Sequence, residues 1–178
     1  PNLAKVRVKK ATTGEIKLDY ELKPDAGVNL DDLRIGNMIE LEISISEATN
    51  YLGGEIHLSF NPQVLRVVGI IQPGDFPQLT GTLSGVLKNE ADNSTGKIDY
   101  AVVVGQPQTQ TGDGKVLFAT VRFMVIACGN SSEVGFDFEA NENRETMFVE
   151  KHTEGVGEVI TPSTPDNLII TVPFSNFN

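Results

Sequence analysis

The sequence predicts an all-β fold, a β-sandwich of two sheets. Three observations carry that prediction. Apolar and polar residues alternate with period two in run after run, the mark of strands with one buried face. Clusters of Gly, Pro and Asn separate the runs. No window of a dozen residues carries an apolar stripe at helical spacing.

Taken in order, Ile16, Leu18, Tyr20 and Leu22 alternate with Glu15, Lys17, Asp19 and Glu21. A polar connection from Lys23 to Asp32 follows. Ile39, Leu41, Ile43 and Ile45 then alternate with Glu40, Glu42, Ser44 and Ser46, and Ile56, Leu58 and Phe60 with Glu55, His57 and Ser59. Ile98, Tyr100, Val102 and Val104 share one face, opposite Lys97, Asp99, Ala101 and Val103. Val116–Phe123 and Leu168–Val172 complete the clear strands. The turns between them fall at Gly53-Gly54, Asn61-Pro62, Pro73-Gly74, Asn93–Gly96, Gly112–Gly114 and Gly129-Asn130. Two sheets that bury their facing sides satisfy every one of these strands.

A chain of 178 residues fits one domain, long enough to build a core without disulfide or metal staples. The excess of 24 acidic over 14 basic side chains gives a net charge of −10, which argues against nucleic acid and anionic membranes as partners. The single cysteine, Cys128, excludes an internal disulfide and a cysteine-rich zinc site, and its apolar flank Phe123–Ala127 suggests a buried, inert thiol. No apolar stretch approaches the roughly 20 residues that span a bilayer. The sequence opens at Pro1 with neither an initiator Met nor a signal peptide, so the expectation is a domain excised from a larger secreted protein.

Several segments, in order, resemble the cohesin modules of bacterial and archaeal surface proteins. Gly53–Leu65, running on to Pro73-Gly74-Asp75-Phe76, is similar to the cohesin strand, Asn-Pro turn and second strand. Gly96–Val102 and Gly112–Phe123 resemble two later strands, and Leu33–Asn37 fits the family's opening. The resemblance is strongest over residues 33–172, leaving 1–32 as N-terminal strand and loop within a single domain spanning 1–178. An extra strand-like segment at Glu15–Leu22 and a poor match over Met147–Gly157 make this a divergent relative. The resemblance implies a nine-stranded jelly roll, an extracellular or cell-surface setting, and a non-catalytic role in binding dockerin modules. It also implies no cofactor of the chain's own, the calcium residing in the paired loops of the dockerin.

The same resemblance places a flat binding sheet on strands near 53–60, 82–88, 97–104 and 145–151. If Ile56, Leu58 and Phe60 point inward, then Glu55, His57 and Ser59 point outward, beside Asp99, Ala101 and Val103. Phe148 and Glu150 are expected to extend that face. The partner-binding candidates are therefore Glu55, His57, Asp99, Ala101, Val103, Phe148 and Glu150. An apolar centre with a polar rim suits a protein interface.

Other readings weigh less. His57, Ser59 and Asp99 hold the residue types of a nucleophilic triad, but Ser59 has no nucleophile-elbow turn and nothing supplies an oxyanion hole. The acids Glu139, Glu142 and Glu145, with Asn141 and Asn143, read as a solvated turn, as does Asp92–Gly96, whose twelfth position counted as an EF-hand loop is Val103. His152 reads as solvated. Asn93 and Asn130 head formal glycosylation sequons. The alternative function is a carbohydrate-binding module holding a polysaccharide. Such modules stack sugars on exposed aromatics, whereas this chain has no Trp and only Tyr51 of its tyrosines reads as free. A structural spacer is the third option.

Overall fold

The computed structural model describes residues 16–47, 50–69, 71–73, 85–108, 115–139, 143–151 and 157–174. Two antiparallel sheets face each other, and the one helical element among the described residues is a single 3-10 turn at Leu30–Asp32. The five-stranded sheet runs β1 (Lys17–Pro24), β2 (Met38–Ser46), β8 (Val116–Val125) and β4 (Leu65–Val67), with β5 (Gln72–Pro73) also paired to β8. The seven-stranded sheet runs β13 (Gly157–Ile160), β12 (Met147–Lys151), β3 (Tyr51–Ser59), β7 (Lys97–Gln108) and β6 (Gly85–Asp92). Its remaining strands are β9 (Asn130–Phe136), which pairs with the end of β3, and β14 (Leu168–Val172), which pairs with β9. A short ribbon of β10 (Phe138–Glu139) and β11 (Arg144–Glu145) lies between β9 and β12 in sequence.

The strand total exceeds nine for two reasons. Of the segment predicted from Glu15 to Leu22, the part from Lys17 onward is a true strand, β1, added antiparallel at the edge next to β2, and Glu15 lies outside the described residues. Short pieces add the rest: β5 pairs with β8, while β10 and β11 pair with each other. Register follows the alternation: Ile39, Leu41, Ile43 and Ile45 of β2 are all buried, as are Phe118, Val121, Phe123 and Val125 of β8. The opposite sheet contributes Ile56, Leu58, Ile98, Tyr100, Val102 and Val104. Edge-on ring pairs cross the core, Phe60 with Phe123 at 5.4 Å and Tyr100 with Phe118 at 5.7 Å. Each large side chain buried here contributes about 1.5–3 kcal/mol.

Both open sides of the sandwich are closed by specific contacts. On one, Tyr20 of β1 stacks on Phe136 of β9 with ring centroids 4.8 Å apart. On the other, two asparagines act as side-chain bridges between the sheets. The Asn93 amide accepts from Val67 N (2.7 Å) and donates to Val67 O (3.0 Å). The Asn89 amide accepts from Ile71 N (3.0 Å) and donates to Ile71 O (2.7 Å).

Three expectations are corrected by burial. Tyr51 is buried in the core, so it offers no platform to a sugar. Cys128 is a free thiol, half-buried and packed against the core margin rather than enclosed in it. The amide of the sequon residue Asn93 faces the main chain of Val67, while Asn130 is exposed. Glu142, Asn141 and His152 lie outside the described residues.

Candidate binding face

The four strands expected to share a sheet do so, in the order β12-β3-β7-β6. The described part of β6 begins at Gly85 and runs to Asp92, further along the chain than expected. Directly paired residues in a sheet project from the same face, so the register defines rows across the outer side. Val149, Gly53, Val103 and Gly85 form one row; Met147, Glu55, Ala101 and Lys88 form the next. His57, Asp99 and Glu90 form a third, and Ser59, Lys97 and Asp92 a fourth. The face thus grades from apolar to charged along the strands.

The apolar half is a shallow depression of about 430 Å³ walled by Met147, Val149, Gly53, Val103, Ala101 and Leu87, with Glu55 at its border. Leu87 sits where the β6 register slips between Val86 and Lys88, and it is 72% exposed. Leu87 thus joins the other apolar side chains of the depression in one exposed apolar patch.

Of the sequence candidates, Glu55, Ala101 and Val103 border this depression. Phe148 does not. It is fully buried, its ring packed edge-on to Phe118 at 5.3 Å and laid over Gly54, where an added methyl would overlap it. Phe148 pairs with Gly54, on the inward parity of Ile56 and Leu58, so its neighbours Met147 and Val149 point outward instead. Glu150 follows a bulge after Val149, pairs with Tyr51 on the inward side, and is half-buried. One residue of register decides which half of a strand meets solvent, and both residues proposed on β12 belong to the wrong half.

The charged half is a packed network. His57 lies on the outer side but is only 2% exposed, closed in by neighbouring polar groups. Its Nδ1 lies 2.6 Å from Asp99 Oδ1 and its Nε2 3.2 Å from Glu55 Oε1. Lys88 Nζ reaches Asp99 Oδ2 at 2.9 Å. Arg144, 8% exposed, donates to Asp99 Oδ1, to Asp137 Oδ2 (Nη2, 2.7 Å) and to the carbonyl of Leu58 (2.9 Å). Burial alone would push the Asp99 carboxyl up, but hydrogen bonds from His57 and Lys88 and the Arg144 charge hold it below its ordinary value. Asp137 is likewise raised by burial and lowered further by Ser59, Arg144 and Lys97, with a net downward shift. The Asp99 hydrogen bond raises Lys88.

Local structure explains how Arg144 comes to lie here. β3 pairs with β12 over Tyr51–Glu55 and with β9 over Leu58–Ser59. The gap is bridged by Asp137 N donating to His57 O (2.7 Å) and His57 N donating to Thr146 Oγ1 (3.0 Å). The β10–β11 ribbon leaves and returns through this gap, so Arg144 at its base reaches over β3 to β7. None of Arg144, Asp137, Met147, Val149 or Leu87 was expected from sequence. Thr146–Val149 alternates in neither phase cleanly, since Met147, Phe148 and Val149 are all apolar.

The arrangement is not that of a nucleophilic triad. Ser59 Oγ donates to Asp137 (2.7 Å), and the His57 nitrogen remote from Asp99 faces Glu55. The Asp92–Gly96 turn is closed by its own side chains: Asp92 accepts from Ser94 Oγ (2.6 Å) and Thr95 Oγ1 (2.8 Å), which brings its carboxyl down to about 2. Among the described residues, no cluster of His, Cys, Asp and Glu could hold a metal ion. No helix among them is long and apolar enough to cross a membrane.

No protein-family model matches the chain, and neither does any curated protein. Solved structures do match. The second type II cohesin module of the cellulosomal adaptor ScaA scaffoldin of Acetivibrio cellulolyticus superposes with a TM-score of 0.61 at 16% identity, covering 89% of this chain and 98% of that one. The third cohesin of ScaC from the same organism, solved in complex with the ScaB dockerin, gives 0.57 at 15%, covering 86% and 99%. A type I cohesin–dockerin complex from Clostridium thermocellum gives 0.56 at 12%, covering 88% and 99%. At such identities the likeness is one of fold, and over nearly the whole length of each module this chain carries the jelly-roll sandwich fold of the cohesins.

Proposed function

We propose that the chain is a non-catalytic docking module that binds a dockerin-bearing protein through the outer face of its seven-stranded sheet, serving extracellular or cell-surface assembly. One observation carries the reading: a sheet face that no described element covers divides into an apolar depression, with Leu87 standing exposed at its margin, and a fixed charged half bordered by Glu55. Apolar centre and polar rim are the anatomy of a protein interface. Solved structures of the same fold include complexes with dockerins, which supports that class of partner. Burying the depression supplies affinity, while Glu55 and the charges behind it set register. No cofactor is assigned to the chain itself, and calcium belongs to the dockerin in this reading. Nucleic acid and inserted membrane have no place in it, given the net charge of −10.

The test is capture by calcium-loaded dockerins, repeated in chelator, beside a panel of insoluble polysaccharides. Calcium-dependent capture of a dockerin supports the reading. Retention on a polysaccharide with no dockerin captured replaces it with the carbohydrate-binding alternative.

A further inference from the structure

We infer that Arg144 is a positioning residue for this face: it fixes the Glu55 carboxylate through the relay Arg144–Asp99–His57–Glu55. The claim deepens the proposed docking role and rests on it only for its consequence in binding. Four residues from three strands form an unbroken run of polar contacts, from Arg144 on β11 to Asp99 on β7, then to His57 and Glu55 on β3. Arg144 and His57 are nearly closed off, while Glu55, the most exposed of the four, borders the depression. Glu55 is the only member of the relay that lines the apolar depression.

Arg144 suits the anchoring end because its planar fork meets several acceptors at once, which a lysine ammonium cannot reproduce in the same geometry. Nε and Nη2 both reach Asp137 Oδ2, at 3.2 and 2.7 Å, while Nη2 also reaches Leu58 O. The guanidinium is thereby held from two sides, leaving Nη1 aimed at Asp99. His57 is held in turn by its main-chain bond to Thr146 and by Asp99. The other charges around the ring are Lys88 and Glu90 from β6 and Asp137 after β9; of these Lys88 bonds the second oxygen of Asp99 and leaves the first to His57 and Arg144. A partner therefore meets a Glu55 already held in place, and an interaction whose ordering cost is met before binding is tighter than the same contact from a free side chain.

Arg144→Lys and Arg144→Gln test this, each combined with Glu55→Gln. The first readout needs no partner: carbon-detected NMR of the Glu55 carboxyl and nitrogen NMR of the His57 ring, on protein whose amide spectrum is otherwise native. The expected result is that both signals move in Arg144→Gln and in Arg144→Lys alike, since charge without the fork does not restore the relay. The second readout is affinity for a captured calcium-loaded dockerin. There Glu55→Gln weakens binding about tenfold in the native background and less than about twofold beside Arg144→Lys. Unmoved His57 and Glu55 signals in Arg144→Lys, or an undiminished effect of Glu55→Gln beside it, would overturn the inference. Should neither Arg144 variant fold, His57→Asn cuts the relay one step downstream and is expected to shift the Glu55 carboxyl signal; an unshifted signal refutes the claim. A protein that captures no dockerin counts against the proposed function alone, and the NMR readout still decides the relay.

Discussion

Two adjacent residues on β12 show how narrowly the site and the core are divided. Phe148 lies over Gly54 inside the sandwich, and Met147 beside it opens onto the apolar depression of the outer face. Phe148→Ala should therefore cost about 3–5 kcal/mol of stability, the range for emptying an aromatic from a core. A chemical denaturation curve measures it, and a loss under 1 kcal/mol would mean the ring is not packed as described. Met147→Asp should leave that curve nearly unchanged, because the side chain is already half open, yet reduce dockerin capture by burying a carboxylate against apolar walls. Ala101 has the same standing: it is small, lies low in the depression between Glu55 and Lys88, and faces out. Its outward parity was readable because the polar Lys97 and Asp99 set the phase of β7 ahead of the apolar run Tyr100–Val104. That of Phe148 was not, because three consecutive apolar residues fit either phase equally well.

At the scale of elements, the sandwich depends on how its sheet margins are joined. Asn89 and Asn93 sit four residues apart on β6 and its turn, and they bridge to Ile71 and Val67, also four apart and running the opposite way. Each amide acts as a one-residue extension of a β-ladder between two sheets that do not otherwise pair there. Replacing either by Ala leaves a partly buried backbone N–H and C=O without partners, so a loss of about 1–3 kcal/mol is expected for each. Urea unfolding of the two single variants checks this, and losses below about 0.5 kcal/mol would show that water substitutes freely. Asn93 also illustrates a limit of motif reading. The sequon and the turn were both legible in Asn93-Ser94-Thr95-Gly96, but the bridge to Val67 depends on a strand 26 residues earlier. The turn itself needs Gly96, at φ +71, because a side chain there would run into the Phe60 carbonyl. The β10–β11 ribbon belongs to the same lesson: its pattern is too short to read, yet it delivers Arg144 to the face.

For the whole molecule, alternation and turns were enough to give two facing sheets and most of their inward rows, and the resemblance to cohesin modules gave the four strands of the outer face. What they could not give is the network that fills the charged half, since Arg144 and Asp137 come from the segment between β9 and β12 and meet His57 and Asp99 only once the fold is complete. That network makes stability depend on pH in a definite direction. Asp99 and Asp137 both titrate below their ordinary value in the folded protein. A carboxyl so shifted stabilises the fold at every pH above its unfolded value, about 3.9, and the contribution fades as pH falls through the lower folded value. Denaturant midpoints should therefore hold steady from pH 7 to about 5 and fall below about 4. In Arg144→Gln the fall should be smaller and complete at higher pH, since the two carboxyls have lost a shared cation and titrate closer to their unfolded value. Identical profiles for the two proteins would contradict a share for Arg144 in lowering the two carboxyls.

The central claim is that the outer face of the seven-stranded sheet is where the partner docks. Titration calorimetry of the native protein and of Ala101→Arg against a calcium-loaded dockerin, with melting curves of both, addresses it most directly. The expected result is a loss of affinity of about a hundredfold or more in a variant that melts within a few degrees of the native protein, since a guanidinium at the floor of the depression holds the partner off. Undiminished binding by a normally folded Ala101→Arg would contradict the claim and move the docking surface elsewhere on the molecule.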